Sequence, residues 1–271
     1  MQWFWDTAVQ PLLEAVDART IVEVGVLEGA TTTELIAYAE RKDGILHGID
    51  PTPRPGAVAL AERHDRFVLH REPSLSVLSE IDDVDAALID GDHNWYTVIN
   101  ELRMLAAKSE AQGREFPLTL LHDVGWPYGR RDQYCDPDAI PDQYRQPTVS
   151  GRGLWPGDDE LHDDSGMNIG TTHAVSAGTP RNGVLTAVED FVSESDGRFQ
   201  LTTLTGLHGL GIVVSRALLE SNEQLRDRLR DLESPEWLRT ECERLERARL
   251  HTQARFSTLR HRLRVVLREA G

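Results

Sequence analysis

Short apolar runs recur through the first 215 residues, and stretches with helical spacing separate them. Examples are Ile21-Val-Glu-Val24, Ile45-Leu-His-Gly-Ile49, Ala86-Ala-Leu-Ile89 and Leu118-Thr-Leu-Leu121. Runs this short, bounded by turn residues, predict buried strands, and their alternation with helices predicts βαβ units around a parallel sheet. The pattern places strands at 20–25, 45–50, 66–70, 85–90 and 117–122. Helices fall near 30–41, 56–63, 74–80 and 95–108. A helix at 183–194 follows, then strands at 199–204 and 210–215, close enough to form an antiparallel edge. The expected fold class is α/β, a doubly wound, seven-stranded, mostly parallel sheet spanning residues 1–215. Before it, Trp3, Phe4 and Trp5 are expected to anchor a first helix, up to about Val16, or to shape a cofactor or partner surface.

Two regions break this rhythm. Residues 124–182, directly after the fifth strand, are rich in Pro, Gly, Asp and Tyr. So long a stretch inside a compact domain is usually functional or disordered, and its aromatic and Arg content favours an ordered lid. It follows a strand's carboxyl end, where open α/β sheets bind ligands. Tyr128, Arg130, Arg131 and Tyr144 are its candidate acceptor contacts, and Asn182 fits an N-cap for the helix that follows. Residues 216–271 form a helical extension broken at Ser234-Pro235, where Ser234 is a plausible N-cap. One apolar stripe comprises Leu225, Leu229 and Leu232. Another comprises Leu238, Leu245, Ala248, Leu259, Leu263 and Val266. The spacing suits a packed appendage or a homodimerisation arm better than a long two-stranded coiled coil.

A formal net charge of −16 argues against nucleic acid as a partner, since phosphate binding needs a basic footprint. The arginine-rich tail is net positive, so the negative excess lies in the body, which suits a metal ion, a cationic cofactor and a neutral acceptor. No apolar run is long enough to span a bilayer. Met1–Asp6 lacks the features of a signal peptide. The two cysteines, Cys135 and Cys242, have no metal-type spacing. A reducing cytoplasm is the expected compartment.

The segment with most chemical content is Ile21-Val-Glu-Val-Gly-Val-Leu-Glu-Gly-Ala-Thr-Thr-Thr33, a strand running through a glycine turn into a helix. Glycines let backbone approach a ligand, and Asp50, one strand later, can hold a ribose diol. The spacing Glu23-x-Gly25-x-x-x-Gly29 is not that of the dinucleotide fingerprint. An acid two residues before the first glycine would repel a pyrophosphate and suits a cation. The segment resembles motif I of the class I S-adenosylmethionine (SAM) methyltransferases. That resemblance implies SAM as cofactor. Gly25 and Gly29 would form the turn, Glu23 or a neighbour would meet the amino end, Asp50 would hold the ribose, and Pro73 and Ser74 would lie beside the adenine.

The fourth and fifth strands end in acids, in Asp90-Gly-Asp92-His93 and His122-Asp123. In a parallel sheet these termini are neighbours, and two converging carboxylates repel unless a cation neutralises them. This arrangement is similar to the metal-dependent O-methyltransferases of the catechol and macrolide-sugar types. The similarity implies Asp90 as a metal ligand, also close to the cofactor, and His93 as general base. It places the second ligand pair at His122 and Asp123, where the sugar enzymes have two acids. His122 is therefore a weaker Mg²⁺ ligand, a mark of Mn²⁺, or no ligand, with Asp92 the alternative carboxylate. The expected function is Mg²⁺-dependent O-methylation of a hydroxyl on a saccharide or glycosylated natural product. A metal-dependent hydroxylase using His93, His122 and Asp123, and a non-catalytic SAM-binding scaffold, are the alternatives.

Overall fold

The computed structural model describes residues 1–269, with side chains described through Arg262. The chain divides into a unit Met1–Arg228 and a second unit beginning at Leu229. In the first unit, two short turns of 3-10 and π type at Gln2–Phe4 and Trp5–Val9 lead into α1 (Gln10–Ala15). Phe4 and Trp5 are buried, whereas Trp3 is exposed. The alternating region then runs β1 (Thr20–Val24), α2 (Ala30–Lys42), β2 (Ile45–Ile49), α3 (Pro55–Ala61), β3 (Phe67–His70) and α4 (Ser74–Val77). It continues with β4 (Ala86–Ile89), α5 (Trp95–Ala111) and β5 (Leu118–His122).

The lid carries five short strands, β6 (Gln133–Tyr134), β7 (Thr148–Ser150), β8 (Arg152–Leu154), β9 (Leu161–Asp163) and β10 (Thr172–Ala174). They form a three-stranded sheet in the order β6-β10-β7 and a β8-β9 pair. After the lid come α6 (Val184–Ser193), β11 (Phe199–Leu204), β12 (Leu210–Ser215), α7 (Arg216–Ser221) and α8 (Glu223–Leu232).

The large sheet has the order β11-β12-β5-β4-β1-β2-β3. β12 is antiparallel to both its neighbours, so β11 again runs parallel to β5. The expected seven strands are present, and the last two form the expected antiparallel pair at one edge, with β12 between β5 and β11. Strand order reverses between β1 and β4, which pair directly from Ile21↔Ala86 to Val24↔Ile89. Ligands bind at the carboxyl ends of strands at such a switch point. The glycine turn after β1 and the acidic turn after β4 therefore open into one crevice.

The strands read as continuous apolar runs because helices cover both faces. Val22, Ile49, Ala87, Ile89, Leu121 and Val213 form one core cluster with Val98 and Leu102 of α5 and Val188 of α6. At about 1.5–3 kcal/mol for each fully buried large aliphatic side chain, this cluster fixes the strand ends on which the site is built. Asn222 supports the start of α8, accepting from Leu225 N–H at 2.9 Å and donating to Ala15 O at 2.8 Å.

The division between units falls inside α8. In the second unit α9 (Pro235–Glu269) is capped by Ser234, whose Oγ accepts from Trp237 N–H at 3.1 Å. Arg–Glu pairs at i,i+3 line α9, among them Arg249–Glu246 at 2.7 Å. Leu225, Leu229 and Leu232 are buried, while Leu238, Leu250, Phe256 and Leu259 are exposed. Leu263 and Val266 lie outside the described side chains. Among the described residues no helix is long and apolar enough to cross a membrane.

Candidate active site

The glycine turn is held against β4 by backbone alone. Gly25 N–H donates to Ile49 O at 2.9 Å and Asp90 N–H donates to Val24 O at 2.8 Å. Gly25 has φ +88°, and a Cβ there would meet Asp90 O at 2.1 Å. No larger residue fits between the two turns. Gly29 has φ +86° and stands at the N-terminus of α2 without a side-chain cap. Glu23 points into the protein, accepting from Thr32 Oγ1 at 2.6 Å. Burial lifts its carboxyl to about 8, with Asp90 and Asp50 adding to the rise. A cationic group beside it would reverse that shift. Asp50 accepts from Leu27 N–H and Thr52 N–H, both at 2.8 Å, which fixes its carboxylate at the end of β2 with lone pairs to spare.

Ser74 opens α4 and donates to the fully buried Glu101 of α5 at 2.5 Å. Burial raises the Glu101 carboxyl to about 8. Sequence reasoning missed Glu101, because a lone acid in an amphipathic helix reads as a solvated position.

Four side chains converge beside the turn. His93 Nε2 lies 3.3 Å from Asp90 Oδ1 and 3.2 Å from Asp123 Oδ2. His122 Nδ1 lies 3.3 Å from Asp90 Oδ1 and 2.8 Å from Asp123 Oδ2. The Met1 α-ammonium also reaches Asp90, at 3.0 Å from Oδ2. Burial alone would push His93 down, but its bonds to Asp123 and Asp90 win and hold the imidazolium well above the usual range. By the same balance His122 rises to about 9. The two histidines conversely outweigh burial at Asp90 and Asp123 and hold both carboxylates below the ordinary range.

Asp90, His93 and Asp123 each offer a ligand atom within 4.8 Å of the others. Carboxylate oxygens with an imidazole nitrogen suit a hard or borderline divalent cation. His122 adjoins this trio through Nδ1, while its buried Nε2 has no hydrogen-bond partner among the described residues. The site thus fits a Mg²⁺ or Mn²⁺ ion.

Asp92 does not turn toward the trio. Its carboxylate accepts from Thr97 Oγ1 at 3.2 Å, from Cys135 N–H at 3.1 Å and from the Asn94 amide. Asn94 is the N-cap of α5, accepting from Thr97 N–H at 2.8 Å.

The lid closes over His93. Gln133 N–H donates to His93 O at 3.0 Å, and the Gln133 Oε1 atom lies 3.1 Å from His93 Nδ1. Tyr128 stacks on the imidazole with centroids 5.4 Å apart and planes 9° from parallel. Asp132, fully buried, accepts from Trp95 N–H at 2.8 Å, Gly183 N–H at 2.6 Å and Tyr134 OH at 2.7 Å. One carboxylate thereby joins the N-termini of α5 and α6. Neither Gln133 nor Asp132 carried a sequence signal, since the lid has no period.

The other candidate lid residues serve the lid itself. Arg131 is buried and donates to Ala174 O at 2.6 Å, Val175 O at 2.8 Å and Asp159 O. Arg130 is exposed and forks onto Glu189 of α6 at 2.6 and 2.8 Å. Tyr144 packs against Trp95 and Tyr96. These contacts place all three side chains within the lid or against α5 and α6. One correction concerns Asn182. The N-cap of α6 is Gly183, and Asn182 accepts from Asp132 N–H at 2.6 Å and donates to Ser176 O at 2.8 Å. His162 bonds to Asp158 within the lid, and His47 bonds to His70 at 3.0 Å between β2 and β3.

Residues 22–123 match the protein family described as "Methyltransferase domain". No curated protein matches the sequence. Similar solved structures include a Podospora anserina methyltransferase, PaMTH1, bound to S-adenosylhomocysteine, with 12% identity, TM-score 0.46 and 76% of each chain covered. Another is the Burkholderia thailandensis 1,6-didemethyltoxoflavin-N1-methyltransferase, with 16% identity, TM-score 0.40 and coverage of 79% of this chain and 80% of that one. A third is human N-acetylserotonin methyltransferase in complex with SAM, with 12% identity, TM-score 0.40 and coverage of 79% and 53%. The family match spans the segment from β1 through β5 that builds the crevice, and the strand order around it is that of the methyltransferase fold. Residues 22–123 thus match a methyltransferase domain, set within the seven-stranded sheet of that fold.

Proposed function

We propose that this methyltransferase acts on oxygen, methylating a hydroxyl of a saccharide or glycosylated small molecule with the help of a divalent cation. The supporting observation is the convergence of Asp90, His93, His122 and Asp123 beside the glycine turn. In this reading Gly25, Gly29, Glu23, Asp50, Ser74 and Asp90 surround SAM. Asp90 and Asp123, with His122, hold Mg²⁺ or Mn²⁺. A bound cation supplies Lewis acidity that lowers the pKa of an acceptor hydroxyl.

His93 takes the proton at Nε2 as the acceptor oxygen attacks. The O–CH₃ bond forms as the CH₃–S⁺ bond breaks, leaving S-adenosylhomocysteine, and the displacement needs oxygen, carbon and sulfur in line. Asp90 and Asp123 would turn their lone pairs to a cation and so release His93 Nε2 to act as base. Tyr128 covers one face of His93 and limits water there. Among the described residues neither Lys nor Arg joins the cluster, which favours a neutral hydroxyl over an anionic acceptor. The second carboxylate also departs from the two-histidine, one-carboxylate set of an iron hydroxylase.

A methyl-transfer screen over sugars, glycosides and aglycones, with and without EDTA, tests this reading. Turnover on a hydroxyl that EDTA abolishes and Mg²⁺ or Mn²⁺ restores is the expected result. EDTA-insensitive turnover would remove the cation from the mechanism. SAM binding without turnover on any acceptor, unchanged by His93→Ala, would favour a scaffold.

A further inference from the structure

We infer that α9 pairs with α9 of a second copy of this chain, antiparallel, through a stripe running from Leu238 to Leu259.

α9 spans 35 residues, about 52 Å at the rise of an α-helix. Every described residue from Glu246 to Arg262 is exposed. About five turns of helix surrounded by water are marginal alone, since most helical stability in proteins comes from packing an apolar face. α9 has such a face. Leu238, Cys242 and Leu245 are followed, at alternating steps of four and three, by Arg249, Thr252, Phe256 and Leu259. That alternation is the seam of paired helices, with Cys242, Arg249 and Phe256 at position a and the others at d. Leu238 is 51% exposed, Phe256 65% and Leu259 56%, and Cys242 is exposed as well. Apolar surface repeated along one helix face marks a protein–protein contact.

The two polar residues in the middle of the stripe point to a second copy and fix its direction. In an antiparallel pair centred between Arg249 and Thr252, Arg249 meets the partner's Thr252. Leu245 then meets the partner's Phe256, and Cys242 meets the partner's Leu259. Polar faces polar, apolar faces apolar, and the twofold axis repeats each contact. A slip of one heptad in either direction sets Arg249 against Leu245 or Leu259. A parallel pair stacks Arg249 on itself in the seam, taking two like charges out of water, and brings Arg255 beside the partner's Arg260. The central layer also arrives with its hydrogen bonds made. Arg249 pairs with Glu246 at 2.7 Å and donates to Gln253 at 3.2 Å, and the Thr252 hydroxyl donates to Ala248 O at 3.0 Å.

Sedimentation velocity on the full chain over a concentration series tests the pairing, since mass action sets the dimer fraction. The parent is expected to pass from monomer to dimer as concentration rises. Phe256→Glu/Leu259→Glu should stay monomeric, with an unchanged melting temperature because both side chains are exposed in the single chain. Direction is read by double electron–electron resonance from a nitroxide on Thr240→Cys, outside the stripe, in a Cys135→Ser/Cys242→Ser background. The antiparallel register places the two labelled positions about 35 Å apart, whereas a parallel pair leaves them about 15 Å apart. A parent that is monomeric throughout would overturn the inference. A lower melting temperature in the charged double variant would then assign the stripe to its own chain, and an unchanged one to a different protein. A dimer that survives the double substitution, or one with the short distance, would overturn it equally. Each readout is independent of methyl transfer, so the outcome stands whatever the acceptor.

Discussion

The His93 imidazole meets the Asp123 carboxylate at 3.2 Å, one arriving from the turn after β4 and the other from the end of β5. The parallel pairing of β4 with β5, in register from Ala86↔Leu118 to Ile89↔Leu121, sets this meeting. Asp123 takes φ +60°, uncommon for a residue with a side chain, just where the chain leaves β5 for the lid. Strain of that kind persists where surrounding structure over-determines it, and it gathers at functional sites.

If His93 is the base, His93→Ala should cut methyl transfer by about 10²- to 10⁴-fold. Affinity for S-adenosylhomocysteine should stay unchanged by calorimetry. Mn²⁺ affinity, read by electron paramagnetic resonance, separates the two roles open to the imidazole. A base leaves it nearly unchanged, whereas a ligand takes most of it away.

Asp90→Asn and Asp123→Asn remove a charge from the same four-group cluster. Each should weaken Mn²⁺ binding by at least about 10-fold, since even partners one step removed from a metal cost 10- to 100-fold. Wild-type Mn²⁺ affinity in both variants would show that the cluster is a proton-sharing network and not a cation site.

Gly25→Ala tests the contact between the two turns. A methyl group there would meet Asp90 O at 2.1 Å, in backbone with φ +88°. The variant should lose about 1–3 kcal/mol of stability for the forced conformation. It should also lose S-adenosylhomocysteine binding, because Asp90 is displaced with its turn. A variant that melts and binds like the parent would show that the turn relaxes freely.

Burial raises Glu101 from 4.5 to about 8. Between those values the folded chain keeps a proton that the unfolded chain has released. The contribution to stability is therefore complete below pH 4.5 and is lost as pH rises through about 8, with a slope of up to about 1.4 kcal/mol per pH unit. Glu23, also raised to about 8, adds a parallel slope. Urea unfolding at pH 5 and pH 8.5 should show a smaller pH difference in Glu101→Gln than in the parent. Equal differences would place the Glu101 proton elsewhere.

The sequence determined the strands, most of the helices and the order of the acids, because a strand buried on both faces must be apolar and a tight turn must carry glycine. Gly25, Asp50, Asp90, His93 and Asp123 were legible on those grounds, each lying at or just beyond the carboxyl end of a predicted strand. Tertiary structure alone decided what the lid does. Gln133, Asp132 and Glu101 work through partners far away in sequence, where no period or spacing marks them. For Arg131 and Arg130 composition records that a guanidinium is present, not which carbonyl or carboxylate it bonds. Burial makes that choice, since a guanidinium enclosed by the lid must bond to whatever acceptors the fold brings within reach.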